Sequence, residues 1–428
     1  MIHYLYDCFF VIIHIGNAGK HSIFPGKRGI QMKRFAAALL LTVLACSAAV
    51  AAPVQVTKTV RDNPTLYVGE IAANPAFSKA LKSFLAASGW FDLSTDPAAD
   101  YKLTGKSRGN SISIQLEQGG APVGSWSLNA ASTTPRKLGA IAADAVIEKT
   151  FKALKVRGFC QSKVAFCAVT APGIRNIYTC DIDGGNPEQI TNYRSLCMEP
   201  AWSANGKTLI FSKYNPSSMS VIETTLAQPR RSRVLSNLRG INAGAAPSPD
   251  GGSLAVILSP DRVVDLYTIN LRTGRLRRLT RGKAVEASPA WSPDGSRLVF
   301  VSDQNGRPRL YTISRNGGSM QMLPSIGADA VTPDWSSDNK IVYATRISGS
   351  YTLAVLDLST GKNTRVTNIP GNYESPTWAA DNRQIVCKRS QGTKSELCVV
   401  DTWTGKVRLL LSTNTNLAMP VWSSCPVK

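Results

Sequence analysis

The residues that could do chemistry are few. The 428-residue chain has three histidines, His3, His14 and His21. All lie upstream of Met32, where a secretory leader is expected to begin, so the exported chain should carry none. Without histidine there is no Ser-His-Asp or Cys-His nucleophile pair and no His-ligated metal site. Asp-Gly pairs such as Asp250-Gly251 and Asp294-Gly295 are single carboxylates in turn sequences. They lack the alternating carboxylates of a calcium loop, so they are read as turns. No metal, cofactor or catalytic residue is expected.

Seven cysteines follow the leader, and export permits disulfides. Cys167 and Cys180 flank a predicted turn at Pro172-Gly173, and Cys387 and Cys398 flank Gly392-Thr393. Each pair is expected to face across a hairpin and to be able to bridge, the alternative being buried thiols. Cys160 and Cys425 flank the two ends of the repeated region and form a third candidate pair. Cys197 is then left over. No base stands by to activate a thiolate, so none reads as a nucleophile.

The elements that hold these residues come from a repeat. Ser288-Pro289-Ala290-Trp291-Ser292-Pro293-Asp294-Gly295 leads into the apolar run Arg297 to Val301. A polar loop at Asn305-Gly306, the run Leu310 to Ile313, a turn at Asn316-Gly317-Gly318 and the run Met320 to Leu323 follow. That pattern is one four-stranded antiparallel sheet. Its tryptophan position recurs at Trp202, Pro247 (a substitution), Trp291, Trp335, Trp378 and Trp422, at intervals of 45, 44, 44, 43 and 44 residues. An even period of this length predicts a β-propeller with one unit per blade. The unit from Lys163 to Thr191 has no Trp motif ahead of it, and the Trp422 strand has no sheet after it. The C-terminal strand is therefore expected to complete the first blade, closing a ring of six and protecting its sheet edges. The tryptophans are expected to fill the space between blades.

Residues 54–155 have a different texture. Phe77, Leu81, Phe84 and Leu85 recur at helical spacing between Asn74-Pro75 and Gly89, which supply a start and a stop. Thr134-Pro135 opens a second predicted helix, running to about Leu154. Thr65 to Val68, Tyr101 to Gly105, Ser111 to Leu116 and Gly124 to Asn129 read as strands. The expected class is thus mainly β, a six-bladed propeller preceded by a small α/β domain. The expected divisions are a non-native extension over 1–31, a signal peptide over 32–52, the α/β domain over 53–157 and the propeller over 158–428. Gly158 to Ser162 is the linker, short enough to suggest packed domains.

Met32-Lys33-Arg34, the apolar run from Phe35 to Ala45 and the small residues Ser47 to Ala52 follow the order of a signal peptide. Cleavage is expected near Ala51 or Ala52, which would place the protein outside the cytoplasm. The alternatives are a transmembrane anchor and a lipoprotein held through Cys46. The formal charge is +21, and removing the five cations and one carboxylate of residues 1–51 leaves +17. Such a surface can be merely solvated, or can attract an acidic partner or the anionic envelope. Export argues against nucleic acid.

An exported α/β domain followed by Pro-x-Trp-Ser-Pro-Asp-Gly units resembles the TolB family, the periplasmic propellers of Tol–Pal envelope systems. The resemblance spans about residues 54–428. It rests on Glu199-Pro200-Ala201-Trp202-Ser203, Pro247-Ser248-Pro249-Asp250-Gly251, and Ser288 to Gly295 with Ser302 to Pro308. It implies a non-enzymatic, monomeric adaptor, peripheral to the envelope membranes, that supports outer-membrane integrity and constriction at division. The partner at the propeller mouth would be a Pal-like peptidoglycan-associated lipoprotein. The implied contacts lie in the loops before the Pro-x-Trp strands: Met198, Glu199, Ile241, Asn242, Gly244, Glu286, Ser288, Thr332, Glu374, Ser375 and Met419. A TolA-like inner-membrane protein would engage the N-terminal tail, Val54, Gln55, Val56, Thr57 and Lys58. The basic tail and the degraded turns at Ala204-Asn205-Gly206, Ser337-Asp338-Asn339 and Ala380-Asp381-Asn382 depart from the family pattern. Six equivalent loops entering six inner strands would also form one concave rim by geometry alone. The alternative functions are a glycan- or peptide-binding envelope propeller without Tol partners, for which Tyr193 and Tyr373 are the obvious rim aromatics, and the propeller of a hydrolase or lyase.

Overall fold

The computed structural model describes residues 62–71 and 73–423. The leader with Cys46, the tail residues Val54 to Lys58, and Cys425 lie outside the described residues. Among the described residues, no helix is long and apolar enough to cross a membrane.

The front sheet is built from β1 (Thr65–Val68), β2 (Asp92–Ser94), β3 (Tyr101–Arg108), β4 (Ser111–Gln118) and β5 (Ala121–Asn129), in the order β2-β1-β3-β4-β5. Helices α1 (Pro75–Ser88) and α2 (Pro135–Thr150) accompany it. The start and stop residues act as their chemistry dictates. Asn74 accepts a hydrogen bond from the Phe77 amide at 3.2 Å, and Gly89 closes α1 at φ 67°. Thr134 caps α2 in the same way through the Lys137 amide. This helix ends at Thr150, four residues before the expected Leu154, and Lys152–Leu154 form a separate 3-10 turn.

The repeat units fold as antiparallel sheets in chain order. The first comprises β6 (Lys163–Ala171), β7 (Ile174–Asp181) and β8 (Glu188–Gln189). The second is β9 (Leu196–Trp202), β10 (Thr208–Asn215), β11 (Ser218–Thr225) and β12 (Gln228–Ser236). The third is β13 (Asn242–Pro247), β14 (Ser253–Leu258), β15 (Asp265–Asn270) and β16 (Leu276–Arg278). The fourth is β17 (Glu286–Trp291), β18 (Arg297–Ser302), β19 (Arg309–Ser314) and β20 (Gln321–Met322). The fifth is β21 (Ala330–Trp335), β22 (Lys340–Ile347), β23 (Ser350–Asp357) and β24 (Asn363–Arg365). The sixth is β25 (Asn372–Trp378), β26 (Gln384–Gln391), β27 (Lys394–Asp401) and β28 (Val407–Leu411). The last strand, β29 (Leu417–Trp422), pairs antiparallel with β6, and a single Arg175–Leu196 bridge joins the first two units.

The inner strands lie side by side. β9 packs on β13, β13 on β17, β17 on β21, β21 on β25, β25 on β29, and β29 on β9. The repeated tryptophans are buried between the sheets, and three of them tie neighbouring elements together. Trp202 Nε1 donates to the Val421 carbonyl at 3.1 Å, Trp291 Nε1 to the Ala246 carbonyl at 2.8 Å, and Trp422 Nε1 to Ser162 Oγ at 2.7 Å. Trp422 also meets Phe159 edge-on at 5.8 Å. Trp422→Ala should therefore cost about 3–5 kcal/mol, the range for losing a large buried aromatic. Urea unfolding measures this, and a loss under about 1 kcal/mol would place the stabilisation elsewhere.

The front sheet and the last units share one apolar core, in which Leu81, Phe84 and Trp90 pack with Val386, Leu410 and Trp422. The linker is fixed as well, because Asp144 Oδ1 accepts from the Cys160 amide at 2.6 Å. Burial pushes the Asp144 carboxyl above its usual range.

The cysteine expectations need correction. Every described cysteine is a free, buried thiol, Cys160 and Cys197 included. Cys167 lies opposite Ile177, and Cys180 lies opposite Val164. Cys167 and Cys180 therefore belong to different cores on the two faces of the sheet. The register, with its irregularity between Val169 and Ala171, sets each of them opposite another residue and so reverses the facing that a bridge would need. Cys387 and Cys398 do sit directly opposite each other, unbonded, and Cys387 Sγ contacts the Cys398 carbonyl at 3.7 Å.

Candidate functional site: the proline-lined mouth

Each inner strand carries an irregularity at one equivalent place. Ser288 and Pro289 together stand opposite Phe300, because Ala287 pairs with Val301 and Ala290 with Val299. The same two-against-one bulge occurs at Glu199-Pro200, Gly244-Ala245, Thr332-Pro333, Ser375-Pro376 and Met419-Pro420. At all six the first residue has a left-handed backbone. The φ values are 56° for Glu199, 61° for Gly244, 50° for Ser288, 47° for Thr332, 50° for Ser375 and 50° for Met419. Only one of the six is glycine. The other five hold a conformation that costs about 1–3 kcal/mol each and persists where surrounding structure enforces it. Such residues gather at ligand clamps and active sites.

The six bulges converge on one cavity of about 140 Å³. Its lining comprises the six bulge residues, the five prolines and Ala245 that follow them, and Thr377 and Val421. Glu199 is the single ionisable group in this lining. Its Oε2 accepts from Ser212 Oγ at 2.5 Å and from the Gly244 amide at 2.7 Å, linking β9, β10 and β13. Glu199 Oε1, Ser288 Oγ and Thr332 Oγ1 are buried without a hydrogen-bond partner. A proline surface studded with unused polar atoms suits the backbone and side chains of an inserted loop.

Six of the eleven expected mouth residues thus come together: Glu199, Gly244, Ser288, Thr332, Ser375 and Met419. The other five do not line the cavity. Met198 and Ile241 are buried in the apolar cores. Asn242 is spent on a turn, its amide and carbonyl bonding Ser236, Leu238 and Gly240. Glu374 pairs with Lys388 at 2.6 Å within its own sheet. Glu286 is buried with Ser302 Oγ donating to Oε1 at 3.2 Å. Positions ahead of the bulge face into the sheet stack rather than onto the axis. Tyr373 is also buried, which removes it as a stacking platform, and Tyr193 lies under the Lys213 ammonium at 4.2 Å. The bulge itself went unrecognised in the sequence, although five of six precede a proline. A Gly-x-Ser-x-Gly run, Gly105 to Gly109, also exists, but it lies along β3 and its turn and not at a strand-to-helix elbow.

Glu286 makes a pH prediction. Burial first, and then the nearby Asp265 charge, push its carboxyl up to about 8. The unfolded chain releases this proton near the ordinary glutamate value, whereas the folded protein keeps it. Stability should therefore fall as pH rises from about 4.5 to 8 and level off above. Glu286→Gln should flatten that slope and stabilise the protein at pH 8.5. An unchanged slope in urea unfolding across this range would contradict the assignment.

A family model described as the TolB beta propeller domain matches residues 151–426. Among curated relatives, a Tol-Pal system protein TolB from Desulfosudis oleivorans is 33% identical over 122 residues, 28% of this chain and 27% of that protein. A Tol-Pal system protein TolB from Francisella tularensis subsp. tularensis is 31% identical over 131 residues, 29% of this chain and 30% of that protein. These matches span under a third of the relatives' length. The crystal structure of TolB from Acinetobacter baumannii superposes with a TM-score of 0.76 at 20% identity, covering 86% of this chain and 98% of that one. At that identity the likeness speaks for the fold. With the family model matching well over half of its residues, the chain belongs to the TolB β-propeller family.

Proposed function

We propose that this chain is a non-enzymatic periplasmic adaptor of a Tol–Pal-type system that binds a Pal-like peptidoglycan-associated lipoprotein in the proline-lined mouth. The observation that carries this reading is the convergence of six left-handed bulges on one cavity with unpartnered hydroxyls. Strained backbone held at five non-glycine positions is costly unless the resulting surface is used. The lining offers surface and hydrogen-bonding groups for an inserted loop. The names of the curated relatives support the system.

The same reading makes the propeller a closed ring of six blades over about residues 158–428. Its support is the β29–β6 pairing and the side-by-side inner strands. It assigns residues 32–52 to a cleaved signal peptide and Val54 to Lys58 to a TolA-like partner. The test is co-purification from cells that encode both proteins. The tagged chain should capture the Pal-like lipoprotein, and a chain lacking residues 53–61 should lose the TolA-like protein while keeping the lipoprotein. Loss of neither partner on tail removal would overturn the tail assignment, and failure to capture the lipoprotein would overturn the mouth assignment.

A further inference from the structure

The outermost strand of the third sheet carries a run of charge that the mouth does not use. Between Leu266 and Val285 the sequence has six cations and no carboxylate. Arg278 is committed to Asp265, in a direct ion pair. Arg277 reaches the Asn316 side-chain oxygen at 3.1 Å. Arg272, Arg275, Arg277, Arg281 and Lys283 are all exposed. Among them stands Leu276, 38% exposed on the strand itself. Part of this arrangement protects an edge strand, since cations there discourage pairing with a second chain. One or two would do that, and they would not require an exposed leucine at the centre.

The cations do not converge. Arg272 and Arg275 lie at the turn entering β16, Arg277 on the strand, and Arg281 and Lys283 on the segment leaving it. Successive strand residues point to opposite sides, so the charges spread along an edge rather than enclosing a single anion. An extended edge of exposed cations, with Asp261 and Asp265 drawn to Arg278 at its base, around an exposed apolar side chain matches a surface that is itself extended, anionic and apolar beneath its head groups. The front-domain contacts lie elsewhere, on residues of the first and sixth sheets such as Asp181, Arg383 and Lys406. Among the described residues, the front domain therefore leaves this edge uncovered.

We propose that the outer edge of the third sheet, Arg272 to Lys283 with Leu276 at its centre, is a contact surface for an anionic lipid bilayer. It would hold the adaptor against a membrane face while its mouth remains open to a protein partner. Each cation near such a surface adds about fivefold to partitioning, and salt screens the attraction.

The experiment is co-sedimentation of the full chain with vesicles of phosphatidylglycerol in phosphatidylcholine, read as the difference from phosphatidylcholine alone. The leader carries cations of its own and is common to every variant, so its contribution cancels only in the comparison between variants. Binding to the anionic vesicles should exceed the baseline and fall with added salt. Arg272→Glu with Arg275→Glu should reduce it by about 25-fold or more, and Leu276→Ser by a smaller factor. Lys106→Glu with Arg108→Glu, an equal change of net charge on the exposed face of β3, should leave it nearly unchanged. Unfolding midpoints establish that the variants fold. Three results overturn the proposal: no anionic preference, an equal loss in the Lys106/Arg108 pair, or binding to polyglutamate without binding to vesicles.

Discussion

Tryptophan in place of Ser288 is expected to weaken binding of the Pal-like lipoprotein by about 30-fold or more, the scale of an interface hot spot. Ser288 already holds φ 50° with a Cβ in place, so the substitution adds bulk beyond the Cβ rather than a new Cβ at that backbone. Its Oγ is buried in the mouth with no partner, so the change removes no internal hydrogen bond. What changes is the space: an indole occupies the cavity that an incoming loop would fill. Gly244 is a poorer position for this test. A Cβ there would lie 3.2 Å from Ile257 Cγ1 at φ +61°, so loss of binding would be mixed with loss of fold. Thr332→Trp is the better companion, because its Oγ1 is likewise unpartnered. Calorimetry against the soluble domain of the lipoprotein reads the effect. Retained affinity in both variants would exclude the cavity as the contact.

Arg383→Met should destabilise the protein by about 3–5 kcal/mol, because it strands a buried carboxylate. The Arg383 side chain is 2% exposed. Its Nη2 bonds Asp401 Oδ2 at 2.6 Å and Asn63 Oδ1 at 2.7 Å, and its Nε lies 3.1 Å from both Asp401 oxygens. The guanidinium is stacked 4.7 Å from the Trp90 ring and 4.7 Å from the Trp403 ring. One side chain thus ties the front domain, through Trp90 and Asn63, to the sixth sheet. Removing it should loosen that junction as well as lower the unfolding midpoint. Arg383→Met with Asp401→Asn should recover much of the loss, since replacing both charges leaves neither unpaired. A single variant that costs under about 1 kcal/mol would show that the pair contributes little in place.

What was legible in the sequence had local causes. Helix α1 begins at Asn74-Pro75 and ends at Gly89 because capping is decided within a few residues. The repeat was legible because each unit solves the same packing problem at the same period, with a tryptophan at every position of the series except Pro247. The facing of individual residues was not. Glu199 and Glu286 both precede a Pro-x-Trp strand, yet one lines the cavity and the other is buried behind it. One inserted bulge residue decides which way a side chain points, and alternation read from sequence does not register it. Cys167 and Cys180 failed for a related reason, since register in a hairpin is set by its turn and irregularities. The Arg383 cluster left no local signal, because Trp90 and Asn63 lie about three hundred residues upstream of their partner.

The central claim is that the partner enters the mouth, and photo-crosslinking from single positions tests it most directly. A photoreactive residue at Ser375, within the proline-lined cavity, should crosslink to the Pal-like lipoprotein in intact cells. The same residue at Leu409, 52% exposed on the outer edge of the sixth sheet, should not. Crosslinking from Leu409 but not Ser375, or from neither, would contradict the account.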